Sequence, residues 1–271
     1  VWFSQQFDVD SLVLSAVVAT ALPGLEVGTS VVPLNPRHPV LMAAAAQTVQ
    51  AAAQGKFTLG IGLAGHDVER RAYGLPPIDV INRLREHLTV LRQVFAGETV
   101  EFNGQEISAV LLGRVAAVAG GSPVPTLVAA MGPRALAVAG ELADGTIPFL
   151  AGPQSISSFI RPRIEAAAAG AGRPRPRVIA VVPVSVTNDV DRARSDAIRS
   201  IGVYDRLSSY QKVVSREGLS SAAELAVIGD ADGVGAELDA YRAAGSDELV
   251  LYPFQRDPDV LAAIWEVAGR L

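Results

Sequence analysis

Phe57-Thr58-Leu59-Gly60-Ile61-Gly62-Leu63-Ala64-Gly65 is the stretch on which the fold turns. Its glycines at 60, 62 and 65 spell the fingerprint of a dinucleotide-binding turn. That motif carries meaning only when a strand precedes it, a helix opens on it, and a second strand ends in an acidic residue about 20 positions on. Phe57 to Ile61 is apolar enough for a buried parallel strand. The other conditions fail. The glycines run into His66-Asp67-Val68-Glu69-Arg70-Arg71 and then Tyr73-Gly74-Leu75-Pro76-Pro77, where two prolines are expected to stop any helix. The place of the acidic residue falls near Arg85, inside a helical pattern. Something other than a pyrophosphate turn requires glycines at the end of this strand.

Outward from it, short apolar runs rich in β-branched residues alternate with alanine-rich helical patterns, the arrangement of a parallel sheet. Strands are expected at residues 1–4, 25–32, 57–62, 126–130, 145–150, 178–186 and 248–252. Helices are expected at 12–20, 39–53, 81–95, 133–143, 154–171, 190–200, 203–215, 233–244 and 258–270. Asp10 and Asp257 stand at cap positions, and Pro39, Pro133 and Pro258 in first turns. Seven strands are one short of the eight that close a TIM (β/α)8 barrel, the expected fold. The chain opens inside a strand, so a first β-strand and helix of roughly 25 to 40 residues is the expected absentee. An open seven-stranded sheet is the structural alternative. With no internal repeat or linker, residues 1–271 are expected to form one domain, a size that α/β barrels reach as a single unit.

Composition narrows the partners. Hydrophobic residues make up 49% and mean hydropathy is +0.31, yet no apolar run reaches the length of a membrane span. A net charge of -5, a pI near 5.3 and the lack of a basic run argue against nucleic acid or anionic membrane as a partner and favour a small-molecule substrate. The absence of cysteine excludes disulfides, thiol nucleophiles and cysteine metal sites, and fits a cytoplasmic protein. His38, His66 and His87 are too scattered for a zinc motif, so no metal is expected. Lys56 and Lys212 are the only lysines; the arginine, alanine and valine bias is that of a GC-rich, actinobacterial kind of genome.

In a barrel the chemistry sits where strands end. Those positions are Ser4-Gln5-Gln6, Thr29-Ser30-Val31, residues 62–66, Ala130-Met131-Gly132-Pro133, Phe149-Leu150, Thr187-Asn188 and residues 252–256. Four stretches there resemble the bacterial luciferase-like monooxygenase superfamily, and within it the deazaflavin branch that uses coenzyme F-420. They are Val1-Trp2-Phe3-Ser4 with Phe7 and Asp8; Gly28-Thr29-Ser30-Val31-Val32 with Arg37-His38-Pro39; residues 57–62; and Ala129-Ala130-Met131-Gly132-Pro133 with Ala139-Gly140-Glu141 and Ala143-Asp144-Gly145. Their order and spacing run through essentially the whole chain. The resemblance implies that the glycines after the strand at 57–62 line a cofactor cavity, where a missing Cβ lets a ring or its tail approach the backbone. It implies a non-proline cis peptide at Ser30-Val31, and a cofactor phosphate at Met131-Gly132-Pro133, where a helix start offers unpaired N–H groups. A homodimer is the expected assembly.

Two departures bear on chemistry. Members of the branch that oxidise sugar phosphates carry an acidic residue and a histidine where this chain has Gln5 and Gln6, and a glutamate where it has Leu63. Glutamine exchanges no proton near neutral pH, so alcohol oxidation of that kind loses its acid-base apparatus and a sugar phosphate is not the expected substrate. The expected cofactor set is Gln5, Ser30, Val31, Gly62, Leu63, Met131, Gly132 and Pro133. Gln6 and His66 are the candidate catalytic residues, His66 as proton donor if hydride goes to an unsaturated substrate. The alternative places His66 on a loop, paired with Asp67 or Glu69. His38 is read as a loop cap and His87 as a packing residue. The reading is an F-420-dependent oxidoreductase, with an FMN-dependent monooxygenase of the same superfamily and a non-catalytic ligand-binding barrel as alternatives.

Overall fold

A strand forms over Phe57–Gly62, as expected, in the computed structural model of the chain, which describes residues 1–63, 66–121 and 123–270 but not the side chains of 66–68. Two compact units divide the chain. One comprises Val1–Thr146 with Ala167–Pro176, the other Ile147–Ala166 with Arg177–Leu271.

In the first unit, β1 (Trp2–Phe3), β2 (Val27–Thr29), β3 (Val32–Pro33), β4 (Phe57–Gly62), β7 (Thr126–Ala129) and β8 (Gly145–Thr146) run parallel. The order is β1-β2-β4-β7-β8, with β3 also on β4. Register aligns Pro33, Gly62 and Ala129, so these strands end along one edge. Helices α1 (Ser11–Ala21), α2 (Pro39–Ala52), α3 (His66–Tyr73), α4 (Val80–Phe95) and α5 (Pro133–Leu142) connect them. Asp10 caps α1 through the Leu12 and Val13 amides, and Pro39 and Pro133 open their helices as expected.

Two readings of this region are corrected. A helix does open after the glycines: α3 runs to Tyr73 and stops at Gly74, whose φ is +66°. Pro76 and Pro77 lie beyond it, and a proline restricts only the residue before it and the turn it would join. The dinucleotide reading still fails, because Arg85 lies within α4. Residues 99–115, assigned no element from sequence, form an antiparallel hairpin of β5 (Thr99–Asn103) and β6 (Ser108–Val115). Its turn is held from α4: the buried Glu86 carboxylate accepts from the amides of Gln105 (2.8 Å), Glu106 (2.9 Å) and Ile107 (2.8 Å). A Cβ on Gly104 would lie 2.3–2.6 Å from that carboxyl group, so a larger residue there would have to push the carboxylate off the turn amides it holds.

In the second unit, β9 (Arg177–Val186) pairs in parallel with β10 (Val227–Gly229) and β11 (Glu248–Pro253), and Phe149 bridges to Val181. β10 was not anticipated. The helix expected at 154–171 comprises α6 (Pro153–Ser155), a π-turn (Ile156–Ile160) and α7 (Arg161–Gly170). The π-turn carries Phe159, gripped between the guanidinium groups of Arg163 and Arg216 at 3.7 and 3.5 Å from its ring centre. After α8 (Val190–Ile201), the helix expected at 203–215 is a 3-10 turn (Gly202–Arg206) followed by α9 (Ser208–Arg216). α10 (Ala231–Ala243) and α11 (Pro258–Ala268) complete the unit. No helix among the described residues is long and apolar enough to cross a membrane.

Candidate functional site

The glycines of β4 have partners in their own chain. Between β2 and β3 the strand breaks at Ser30-Val31, and the peptide there is cis, as the resemblance implied. A Cβ on Gly60 would stand 1.9 Å from the Thr29 carbonyl oxygen, and one on Gly62 2.3 Å from a Val31 methyl. The Thr29 hydroxyl donates to Gly60 O and accepts from Gly60 N, both at 2.9 Å, and ties the departing strand to β4. Within the chain itself, the missing Cβ atoms make room for Thr29 and Val31. Leu34 N then donates to Gly62 O at 3.1 Å, and half-buried Leu63 follows.

Past β1, the two glutamines differ. Gln5 Nε2 donates to the carbonyls of Gln6 (2.8 Å) and Val9 (3.0 Å), and its Oε1 accepts from Ser11 N and Oγ (3.2 Å each) and from Arg37 (3.4 Å). Its amide is engaged at both ends in holding the loop onto α1. Gln6 is exposed and donates to Ser4 Oγ at 2.9 Å. Arg37 forms an ion pair with Asp10. Burial works against the Asp10 carboxylate, but hydrogen bonds from Arg37 and the Val13 and Leu12 amides outweigh it and lower its pKa. A pocket of about 250 Å³ opens beside these residues, lined by Gln5, Gln6, Phe7, Pro33, Pro36, Arg37 and Tyr73. Phe7 and Tyr73 face each other with ring centres 6.2 Å apart. Sequence reasoning did not assemble this pocket, because Tyr73 reaches it only through α3.

At the end of β7 the Thr146 hydroxyl shares its one proton between Val128 O (2.8 Å) and Ala130 O (3.0 Å), fixing the turn that leads to α5. The α5 N-cap is Gly132, exposed, with no side-chain cap and no atom within 4 Å of the place a Cβ would take. Met131 is half-buried and Pro133 exposed. The helix start is thus bare on its outer side, the condition for an anion to meet its N–H groups.

The histidines separate by environment. His66 is the first residue of α3, and its side chain lies outside the described residues, as do Ala64 and Gly65. Glu69, one of the partners suggested for His66, is buried and accepts from Asn35 Nδ2 at 2.9 Å. His38 caps α2 through the Val40 amide (3.3 Å), and its Nε2 contacts Ser108 O at 2.9 Å. His87 is fully buried, with Nε2 3.4 Å from Met42 Sδ. Burial, then the charges of Arg83 and His38, lower its pKa to about 3, so the ring is neutral.

In the second unit, Phe149 is the hub of an aromatic cluster with Tyr204, Tyr210 and Tyr252. At the start of α6, Glu217 accepts from the amides of Gln154 (3.3 Å) and Ser155 (2.5 Å). The buried Ser185 hydroxyl donates to Gln255 Oε1 (2.5 Å), whose Nε2 donates to Asp196 (2.6 Å), joining the end of β9 to α8.

A family model described as luciferase-like monooxygenase matches residues 1–248. The chain is 31% identical over 197 residues to 5,10-methylenetetrahydromethanopterin reductase of Archaeoglobus fulgidus, a match covering 71% of this chain and 58% of that one. It is 32% identical over 212 residues to F-420-dependent glucose-6-phosphate dehydrogenase of Beutenbergia cavernae, covering 75% and 60%. The chain therefore spans about three-fifths of the length of these relatives. The solved structure of coenzyme F-420 dependent tetrahydromethanopterin reductase from Methanopyrus kandleri superposes with a TM-score of 0.78 at 21% identity, covering 99% of this chain and 88% of that one. At that identity the likeness establishes a shared fold, the α/β class of luciferase-like TIM-barrel enzymes.

Proposed function

Because the chain belongs to the luciferase-like monooxygenase family, we propose that it is a coenzyme F-420-dependent oxidoreductase that moves hydride between the deazaflavin and a small organic substrate. The observation that carries this reading is the bare start of α5 at Gly132, with open space where a Cβ would project and no side-chain cap. An anionic cofactor tail fits these residues: the backbone from Met131 to Arg134 would hold it, Pro133 having no N–H to lose. The name of the Beutenbergia cavernae relative, an F-420-dependent dehydrogenase, supports the cofactor class. The bound deazaflavin would supply two-electron redox chemistry at its C5.

The chain's own residues position and exclude. Ser30, Val31 and Leu63 would back the ring, with Val31 held in place by the room Gly62 leaves it. Gln6, exposed at the end of β1, is the hydrogen-bonding group for substrate or ring. Gln5 supports it by fixing the loop rather than by touching ligand. His66, four residues past Gly62 at the first position of α3, is the proposed proton donor, since glutamine has no proton to give.

Titration of the protein with F-420 and, separately, FMN, followed by ring absorbance and fluorescence, tests the reading. Saturable F-420 binding that weakens in Gly132→Val is the expected result. Binding of FMN alone would replace it with the flavin monooxygenase reading, and binding of neither with a ligand-binding barrel.

A further inference from the structure

The pocket beside Gln6 belongs wholly to the first unit and adjoins the residues proposed to hold the deazaflavin. Ser30 N donates to Phe3 O at 2.9 Å, which brings the residues after β1 alongside the cis peptide. Pro33, another lining residue, pairs in register with Gly62. One wall comes from α3. The buried Glu69 carboxylate accepts from Asn35 Nδ2 at 2.9 Å and docks that helix on the loop that carries Pro36 and Arg37. Tyr73 follows Glu69 by four residues, one turn along the same helix face, and is thereby set against Phe7, with 6.2 Å between ring centres and a tilt of 48°.

The lining gives the occupant its chemistry. Phe7 is 79% exposed and Tyr73 42%, an exposure that packing of the two rings on each other does not relieve, and Pro33 and Pro36 add apolar surface. Arg37, the one cation among the described lining residues, is already engaged: it pairs with Asp10 and bonds Gln5 Oε1. The lowered pKa of Asp10 keeps its carboxylate charged opposite that guanidinium. An entering anion meets no uncompensated positive charge. The exposed Gln6 amide uses one N–H on Ser4 Oγ at 2.9 Å. A carboxamide carries two N–H donors and a carbonyl, so Gln6 can exchange water for the oxygen of a ligand. At about 250 Å³ the space falls just below the about 300–1,000 Å³ of pockets for drug-sized ligands, and it suits one small ring.

We propose that this pocket is the substrate subsite, that it takes a small planar uncharged ring bearing a carbonyl oxygen, and that Phe7 and Tyr73 set this preference by flanking the ring while Gln6 donates to the oxygen. Aromatic faces favour a flat partner over a puckered one of equal size. A carboxylate would give up its hydration for a site whose guanidinium is already paired. Mutual packing accounts for the contact of Phe7 with Tyr73 but not for the open space they share with the prolines and Gln6. Naming the bound ring as the substrate of hydride transfer rests on the oxidoreductase reading; its binding does not.

Benzamide, benzoate and cyclohexanecarboxamide at pH 7 separate charge from flatness at nearly constant size. Titration of the full chain, followed by NMR of its amide groups, should show saturable benzamide binding that shifts the Gln6 side-chain amide and the Phe7 and Tyr73 backbone amides. Benzoate and cyclohexanecarboxamide should each bind about fivefold or more weakly by comparison. Phe7→Ala and Tyr73→Ala should weaken benzamide about three- to tenfold, the order of one aromatic contact, and Gln6→Ala about threefold or more, the order of one hydrogen bond. All three residues are exposed, so the variants should keep the fold, which unshifted resonances elsewhere in the spectrum verify. Equal or tighter binding of benzoate, equal binding of cyclohexanecarboxamide, or benzamide affinity unchanged in Phe7→Ala and Tyr73→Ala overturns the proposal. So does competition between benzamide and F-420, which would make the pocket a seat for the cofactor ring. Benzamide binding by a chain that binds no F-420 sinks the oxidoreductase reading alone, and F-420 binding without benzamide binding sinks the subsite alone.

Discussion

Replacing Gly60 by alanine should be among the most damaging single-methyl additions in the first unit. The added Cβ would stand 1.9 Å from the Thr29 carbonyl oxygen, which is main chain and has no rotamer to change. Either β2 or β4 must shift, and the pair of 2.9 Å bonds between Thr29 Oγ1 and Gly60 stretches with it. Overpacking of this kind costs about 1–3 kcal/mol or more, and two strained hydrogen bonds add about 1 kcal/mol each. The smaller freedom of alanine in the unfolded chain returns up to about 1 kcal/mol. The net is about 2–4 kcal/mol, a large part of a native stability of about 5–15 kcal/mol. With a urea slope of about 3 kcal/mol per molar, the unfolding midpoint should fall by about 1 M. Two other glycines calibrate the result. Gly62→Ala meets a Val31 methyl at 2.3 Å, a side chain able to give way, and should cost less. Gly132→Ala meets nothing within 4 Å and should cost under about 1 kcal/mol, the loss of a tolerated cap residue. A Gly60→Ala midpoint within about 0.2 M of the unsubstituted protein, or a reversal of this order, would refute the assignment of the β4 glycines to main-chain packing.

Glu86→Ala removes the acceptor of three hairpin-turn amides at 2.8–2.9 Å and should destabilise the protein by about 3 kcal/mol; hydrogen exchange at Gln105, Glu106 and Ile107 should accelerate, and unchanged exchange would count against it. His87, with its pKa lowered to about 3, takes up no proton in the folded state over a range where the unfolded residue does, so folding stability should fall as pH drops from about 6.5 toward 3. Its ring resonances should stay flat between pH 5 and 8, and part of the acid loss should disappear in His87→Leu; a midpoint near 6 would refute its burial as a neutral ring. His66→Asn should lower turnover of an identified substrate by about 10²–10⁴ without changing cofactor affinity, and a loss of threefold or less would return proton delivery to water.

Seven strands were legible because each is an apolar run closed by local punctuation, and β4 matched to the residue. Caps and first-turn prolines set the helix starts for the same reason. The hairpin carries the turn pair Asn103-Gly104, but its second strand is largely exposed and its turn is anchored by Glu86, some twenty positions away. Local pattern has no access to such an anchor. The helix after the glycines is hidden from local pattern because Pro76 and Pro77 look like its stop, whereas Gly74 ends it.

The site was legible as positions and not as roles. Gln5 and Gln6 are adjacent and chemically identical, yet one amide is spent on Ser11, Val9 and Arg37 while the other is exposed, because only the first lies under the start of α1. Phe149, Tyr204, Tyr210 and Tyr252 span a hundred residues and meet only because β9 takes Phe149 on one pairing and β11 on another. Glycine is the sharpest case. A strand-end glycine leaves the same room whether a ligand or the chain's own backbone fills it, and sequence records only the room. Gly60 and Gly62 are filled by Thr29 and Val31, whereas Gly132 faces open space at a helix start. Of the three, Gly132 is thus the one whose substitution should separate ligand affinity from stability, and it is there that a cofactor claim for this chain can be tried without disturbing the fold.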